Sequence, residues 1–237
     1  IIAGINAARK LQGKEGIVID RSQGYIGVLI DDLVTKESRE PYRMMTSRAE
    51  YRLLLRQDNA DQRLTKLGYE IGLISEERYE KLLEKERLIE EEIHRVERVN
   101  IGTSEEVQNL LKTYESTPLT SGTTLAELIR RPELSYEKLA PIDKNRKNLP
   151  GDVAQQVDIN IKYDGYIKRQ MRQVEQFKKL ENKKIPEDIN YDEIKSLRIE
   201  AKQKLNQIRP ASIGQASRIS GVSPADISVL LIYLGGK

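Results

Sequence analysis

The residues best suited to chemistry in this sequence of 237 residues are five closely spaced arginines. The planar fork of a guanidinium group can donate paired hydrogen bonds to phosphate oxygens, so the cluster could bind a phosphate backbone. Alternatively, these arginines form salt bridges with the nearby carboxylates of Glu50, Asp58 and Asp61. The sequence by itself leaves both interpretations open. The five residues are Arg43, Arg48, Arg52, Arg56 and Arg63.

A second basic region extends from residue 162 to residue 209 and has 13 Lys and Arg against 8 Asp and Glu. Such a run could follow a nucleic-acid backbone, or it could be the solvated face of a helix. The formal net charge of +3 is a weak signal for nucleic-acid binding, so local clustering carries this hypothesis. The candidates for phosphate contact are Lys168, Arg169, Arg172, Lys178 and Lys179.

Other kinds of site are excluded or disfavoured by the composition. Without cysteine there can be no disulfide, thiolate nucleophile or cysteine zinc site in this chain, and a reducing compartment fits. With His94 as the single histidine and no glycine-rich phosphate loop, we predict no catalytic residue and no metal site. Asp31 and Asp32 would point apart on a helix, so we expect capping or solvation rather than shared acid–base work. No apolar run approaches the about 20 residues of a membrane span.

Apolar residues recur at helical spacing along most of the chain, which predicts a mainly α fold. Helices are expected at 25–35, 59–71, 76–99 and 191–208, and a long stripe at 151–180 is interrupted near Gly165. Short helices should fill residues 100–148, and Ser212 and Ser223 should cap two short helices at the C-terminus. The segment 50–56 fits either a helix, which would align Arg48, Arg52 and Arg56 on one face, or a short buried strand.

Residues 216–227 resemble a DNA-reading helix-turn-helix, with Gly221 at the turn. The second helix, however, offers no Arg, Lys, Asn or Gln to read base edges. We therefore expect its apolar residues to pack in a core or to dock a partner protein; these are Ile227, Leu230, Leu231 and Leu234. A DNA-binding regulator and a purely structural dimerisation module remain the alternative functions.

Blocks of residues spread along the chain resemble one protein family. They are residues 3–8, 25–35, 40–61, 163–167 and 209–222. In this order they are similar to the bacterial MnmG (GidA) family, the flavoprotein half of the tRNA wobble-uridine modification complex. The resemblance implies that the chain is the C-terminal part of a longer cytoplasmic, homodimeric enzyme, which also fits a start inside a helix without Met.

What the resemblance implies about function goes beyond the residues themselves. The family modifies C5 of uridine 34 in tRNA with FAD, NADH and methylenetetrahydrofolate, and its partner is the GTPase MnmE. Gly4 and Asn6 would then lie near FAD, although we expect this chain alone to bind no FAD and to be inactive. The basic residues above would bind tRNA, and the apolar terminal helix would dock MnmE.

The same resemblance suggests three regions. Residues 1–72 would be the tail of the FAD-binding α/β domain with an arginine-rich connector, and 73–150 a helical subdomain. Residues 151–237 would form a C-terminal helical bundle that docks the partner.

Overall fold

The computed structural model describes residues 1–36 and 40–235, and these divide into two compact units. The terminal unit combines Ile1–Leu55 with Gln170–Lys237, and the central unit is Arg56–Arg169. The mainly α fold is confirmed, since the described residues form helices joined by loops and a single two-stranded ribbon.

The helices begin and end close to where the sequence places most of them. In chain order they are Ile2–Leu11 (α1), Tyr25–Thr35 (α2), Ala60–Glu70 (α3), Glu76–Arg98 (α4), Glu105–Thr113 (α5), Leu125–Ile129 (α6), Gly151–Lys162 (α7), Asp164–Asn182 (α8), Ile199–Ile208 (α9), Ile213–Arg218 (α10) and Pro224–Gly235 (α11). The ribbon pairs Asn100–Ile101 (β1) with Thr123–Thr124 (β2) in antiparallel fashion.

The central unit is organised around α4, the longest helix. The hydroxyl of Ser75 caps its start by accepting a hydrogen bond from the backbone N–H of Arg78, at 3.4 Å. Leu82, Ile89 and Val96 are buried along one face of α4 together with Glu92, while most of the other charged residues of this helix are exposed. Helices α3, α6 and α7 pack against α4, and the core continues through Leu111, Leu125 and Val157 among others. Because α7 packs on α4, this unit extends past residue 150, where the sequence suggested a boundary, to Arg169.

The C-terminal part of the terminal unit is a small helical bundle. Its core includes Tyr191, Leu205, Ile213 and Leu230, all fully buried. The predicted cap at Ser212 is confirmed, because its hydroxyl accepts from the backbone N–H of Gln215 at 3.1 Å.

Two sequence predictions of regular structure are wrong. The helix expected at 191–208 exists only as α9, because 191–193 form a 3₁₀ turn and the following chain instead buries Ile194 and Leu197 in the bundle core. The segment 50–56 is neither helix nor strand: after a 3₁₀ turn at Thr46–Arg48 the chain continues through turns. The backbone N–H groups of Leu54 and Leu55 both donate to the carbonyl of Tyr51 at 3.0 Å, so the segment contains an isolated turn, in which Tyr51 and Leu55 are buried.

Candidate nucleic-acid interface

The segment that follows α2 presents three of the five predicted phosphate-binding arginines in the terminal unit. Arg43 and Arg52 are exposed, and neither has a hydrogen bond or ion pair to any described residue. Arg48 is also exposed; its guanidinium lies 4.4 Å from the ring centroid of Tyr42 and 3.7 Å from a carboxylate oxygen of Asp32. The guanidinium groups of Arg43 and Arg52 are therefore available to an incoming phosphate.

A buried arginine that the sequence analysis did not single out holds this segment in place. Arg21 is only 2% exposed, and it donates to Asp32 at 2.7 Å and to Glu50 at 2.7 Å. Its guanidinium also donates to the backbone carbonyls of Val28, at 3.4 Å, and Arg48, at 3.2 Å. Arg21 thus ties α2 to the backbone that carries Arg48 and Arg52. In the sequence, the indication of this role is that Arg21 lies ten and eleven residues before Asp31 and Asp32.

The two aspartates of α2 are neither solvated nor capping residues, which corrects the expectation for Asp31 and Asp32. Asp32 is 2% exposed and accepts hydrogen bonds from Arg21 and, at 2.8 Å, from the hydroxyl of Tyr42, while Lys36 lies 2.7 Å away. Burial by itself would raise the pKa of Asp32, but the hydrogen bonds from Lys36, Arg21 and Tyr42 outweigh it and hold that pKa below its usual value. The carboxylate stays ionised and structural.

Asp31 extends the network to the other end of the chain. Arg218 of α10 donates to both of its carboxylate oxygens at 2.7 Å, and donates to Glu181 of α8 at 2.6 Å. The same guanidinium lies 5.2 Å from the ring centroid of Phe177, and this ring in turn contacts Tyr51 edge to face at 5.9 Å. Residues 187 positions apart in sequence are therefore joined by a paired charge-assisted hydrogen bond.

Arg56 and Arg63 belong to the central unit, and both are engaged there. Arg56 pairs with Asp58 at 3.1 Å and donates to the side-chain oxygen of Gln156 at 3.2 Å. Arg63 donates to the side chain of Asn59 at 3.1 Å and to the carbonyl of Arg56 at 2.9 Å. For these two arginines the structure favours the salt-bridge and packing interpretation over phosphate binding.

The predicted basic residues on α8 are all exposed. Lys168 pairs with Asp164 at 2.9 Å, one helical turn earlier. The other four have no hydrogen bond or ion pair to described residues: Arg169, Arg172, Lys178 and Lys179. The α8 helix buries none of its residues, as a helix with a large solvated surface would. These cations remain candidates for phosphate contact.

The two residues predicted near FAD, Gly4 and Asn6, both lie on α1. Gly4 is exposed, and a Cβ added to it would meet open space. The side-chain amide of Asn6 donates to the carbonyl of Ile17 at 3.0 Å and accepts from its N–H at 2.7 Å. That amide fixes the loop after α1, so flavin proximity stays a prediction.

The four predicted partner-binding residues of α11 differ in burial. Ile227 and Leu230 lie inside the core of the bundle, with 8% and 0% exposure, so they cannot dock a partner directly. Leu231 and Leu234 are half-buried at its edge. A large apolar side chain of this helix that is exposed is Ile232, at 75% exposure, which the sequence analysis did not single out.

The start of α11 also argues against the helix-turn-helix reading. Asp226, which would open a recognition helix, is buried at 2% exposure. It accepts from Arg198 at 2.7 Å and from the backbone N–H of Ser223 at 2.8 Å. The hydrogen bond from Arg198 is the main cause of a pKa of Asp226 far below the usual range. Asp226 therefore anchors α11 to α9.

Comparison with known families identifies most of the chain. Residues 76–171 match the family described as tRNA modifying enzyme MnmG/GidA C-terminal helical domain, and residues 173–237 match the tRNA modifying enzyme MnmG/GidA C-terminal helical bundle.

Within the described residues, no helix has the combined length and apolar character needed to cross a membrane.

Curated relatives and solved structures agree with these matches. A tRNA uridine 5-carboxymethylaminomethyl modification enzyme MnmG from Lachnoclostridium phytofermentans is 74% identical over 99% of this chain and 37% of its own length. The enzyme of the same name from Geobacillus kaustophilus is 59% identical over 99% of this chain and 37% of its length. A crystal structure of Aquifex aeolicus GidA superposes with a TM-score of 0.84 at 42% identity, covering 98% of this chain and 36% of that one. The chain spans a little over a third of the length of these relatives.

Proposed function

Since the chain belongs to the MnmG/GidA family, we propose that it is the tRNA-binding C-terminal region of an enzyme that modifies C5 of the wobble uridine of tRNA. The observation that supports this most directly is that Arg43 and Arg52 are exposed and pair with no residue that the structure describes. An arginine side chain that forms no internal salt bridge loses little when it binds a phosphate, because no existing ion pair must be broken. The network around Arg21 holds the supporting backbone rigid, which limits the entropy lost on binding.

The exposed cations of α8 add to this surface in the proposal. Arg172, Lys178 and Lys179 belong to the terminal unit and have no described partner. We assign the chemistry, with FAD, NADH and methylenetetrahydrofolate as its reactants, to the parts of the relatives that this chain does not cover. By itself the chain would be inactive, and in the cytoplasm it would act within a homodimeric enzyme.

A filter-binding titration of tRNA at several salt concentrations tests the tRNA assignment. Binding through phosphates should weaken steeply between about 50 and 200 mM salt. In the double variant Arg43→Ala, Arg52→Ala, the slope of log K against log salt should become shallower by about 1 for each lost contact. Folding should be unchanged, because neither side chain has a partner among residues 1–36 and 40–235.

The matched control removes two positive charges elsewhere. Lys81→Ala with Arg87→Ala removes two cations of α4 that pair with glutamates of the same helix, so the change in net charge is the same. This control should leave the salt slope unchanged. Equal weakening in both double variants would mean that only net charge matters, and an absence of salt-dependent binding would refute the tRNA role.

We also propose that α11 docks the GTPase partner MnmE through its exposed edge. Ile232→Asp should abolish association in a pull-down with purified MnmE while the helical circular dichroism is retained, because this side chain is 75% exposed. Leu231→Asp should also abolish association, at some cost to the bundle core. Ile199→Asp is the matched control, since Ile199 is equally exposed, at 77%, but lies on α9. If Ile232→Asp bound MnmE normally, α11 would not be the docking helix.

A further inference from the structure

A cleft of the central unit, beside the start of α8, takes part in none of the roles assigned above. It has a volume of about 430 Å³ and lies between Arg130, next to the end of α6, and lining residues within 161–169. Ile161 of this lining is buried in the core of the unit, whereas Gly165 is exposed and an added Cβ there would meet nothing within 4 Å. The volume falls in the range of about 300–1,000 Å³ that is typical of ligand-binding clefts.

Tyr166 presents an aromatic ring at this cleft. The residue is 60% exposed, and its ring lies against no other ring or cation among residues 1–36 and 40–235. Most tyrosines of the chain do have such a partner. The guanidinium of Arg146, for example, lies 4.0 Å from the centroid of the Tyr136 ring. The exposed ring of Tyr166 can therefore stack on a flat aromatic ligand without breaking an existing ring contact.

A guanidinium group lies one helical turn from this ring. Arg169 follows Tyr166 by three positions on α8, so the two side chains are neighbours on the helix surface. Arg169 lines the cleft, is exposed and forms no ion pair with any described residue. Arg130 adds a second cation, and its ion pair with Glu127 is exposed, so an incoming phosphate can replace that partner.

The other charged residues of the cleft are engaged within the protein. Lys162 donates to the carbonyl of Leu134 at 2.6 Å and lies 3.5 Å from a carboxylate oxygen of Asp158. Asp164, the one acidic residue of the lining, pairs with Lys168 at 2.9 Å. Because this carboxylate already has a cation, it does not oppose the binding of an anion beside Arg169.

We propose that Tyr166 stacks on an unpaired base of a tRNA and that Arg169 binds the adjoining phosphate. The pairing of a ring face with a cation is what distinguishes this ligand: a free anion would not use the ring, and an uncharged apolar ligand would not use the guanidinium. Proteins bind single-stranded nucleic acid in this way, by stacking bases on aromatic side chains beside basic residues. Only unpaired bases are free to leave the stack of an RNA helix. The inference rests on the proposed function and adds a contact from the central unit.

The tRNA titration at several salt concentrations tests this site with three variants of the whole chain. Tyr166→Leu should weaken binding about tenfold, because it removes the ring on which the base stacks. Tyr166→Phe keeps the ring and should bind within about twofold of the unaltered chain. Tyr166→Leu should leave the slope of log K against log salt unchanged, whereas Arg169→Gln should make it shallower by about 1, because only the arginine contacts a phosphate.

Further variants separate binding from folding and from general surface changes. Gly165→Met should fill part of the cleft and weaken tRNA binding without lowering the melting temperature, because an added Cβ meets nothing within 4 Å. Tyr163→Leu is the control for the ring, since Tyr163 is 44% exposed but does not line the cleft. Arg98→Gln is the control for the charge, because Arg98 is exposed in the same unit and has no described ion pair. Both controls should bind tRNA with unchanged affinity.

The outcomes distinguish this cleft from the terminal unit's arginines. Unchanged affinity in Tyr166→Leu or in Gly165→Met would overturn the inference, and so would an equal loss in Tyr166→Phe and Tyr166→Leu, because the ring face would then not be used. If these variants bound normally while the Arg43 and Arg52 double variant bound weakly, the cleft would have no RNA role and the proposed function would stand. An absence of salt-dependent tRNA binding in the unaltered chain would instead refute the proposed function, and the inference with it.

Discussion

Replacing Arg21 with methionine should destabilise the terminal unit through the buried carboxylate of Asp32. The substitution keeps an unbranched apolar stem and removes the guanidinium that contacts Asp31, Asp32 and Glu50. The three carboxylates do not lose the same amount of stabilisation when this guanidinium is removed. Asp31 keeps both hydrogen bonds from Arg218, and the side chain of Glu50 is 49% exposed and can be solvated.

The magnitude follows from how much of each interaction is buried. Removing one partner of a buried ion pair costs about 3–5 kcal/mol, whereas an exposed pair such as that with Glu50 contributes about 0–1 kcal/mol. The side chain of Asp32 is 1% exposed, but it retains Lys36 at 2.7 Å and the hydroxyl of Tyr42 at 2.8 Å. The loss should therefore lie near the lower limit, at about 3 kcal/mol.

Hydrogen–deuterium exchange measured by mass spectrometry can check this number locally. Where exchange reports the opening equilibrium, about 3 kcal/mol corresponds to roughly a hundredfold faster exchange in peptides from α2. Peptides from α4, in the central unit, provide an internal reference. Arg87→Met is the matched control, because Arg87 is half exposed and its ion pairs lie on the surface of α4.

A second variant tests the stated cause. Arg21→Met combined with Asp32→Asn removes both the cation and the buried anion, so it should recover at least about 1 kcal/mol relative to Arg21→Met alone. A loss below about 1 kcal/mol in the single variant, or no recovery in the double variant, would refute the reasoning that an unpaired buried charge sets the cost.

Three further predictions concern other parts of the chain. Gly27→Ala should destabilise the terminal unit by about 3 kcal/mol in urea denaturation, because the added Cβ would lie 2.3 Å from the backbone carbonyl oxygen of Asp20. Gly24→Ala should cost far less, because the nearest atom to its added Cβ is a methyl carbon of Ile19 at 3.5 Å. Tyr136→Phe should cost the central unit about 1.5–3 kcal/mol by the same measurement, because its buried hydroxyl donates to the carboxylate of Glu92 at 2.7 Å. The pKa of Asp226 is lowered in the folded state, so the ionised carboxylate stabilises the fold above its unfolded pKa of about 3.9. This stabilisation is lost as the pH falls towards the folded pKa, and melting curves at decreasing pH will show the loss.

Each of these has an outcome that would contradict it. Equal costs for the two glycine variants would mean that the close approach at Gly27 is relieved by a small backbone shift. An unchanged stability in Tyr136→Phe would show that the hydroxyl contributes nothing net. Asp226→Asn should flatten the fall in melting temperature below about pH 4, and an unaltered pH profile would assign that fall to other carboxylates.

Most of the helices and the family of the chain could be predicted from local patterns in the sequence. The predicted bounds of α2 are confirmed, and those of α4 differ by a single residue at the C-terminal end. The predicted caps at Ser212 and Ser223 form as their spacing indicates. These helix bounds and caps depend on residues within about one helical turn of each other, so they can be predicted from the sequence alone. The segment 50–56 was not predicted correctly because its spacing fits both a helix and a strand, and the Phe177 ring that Tyr51 contacts is 126 positions away in the sequence.

Only the tertiary structure decided which charged residues are free to bind a ligand. In the sequence, Arg43 and Arg56 look alike, yet the first has no described partner and the second bonds Gln156, one hundred positions away. Likewise Asp31 meets Arg218 across 187 positions, and the unpaired hydroxyl of Tyr191 emerges only when the bundle closes around it. The free energy of an ion pair depends on separation in space and on exposure to water. Neither quantity is set until packing brings distant segments together.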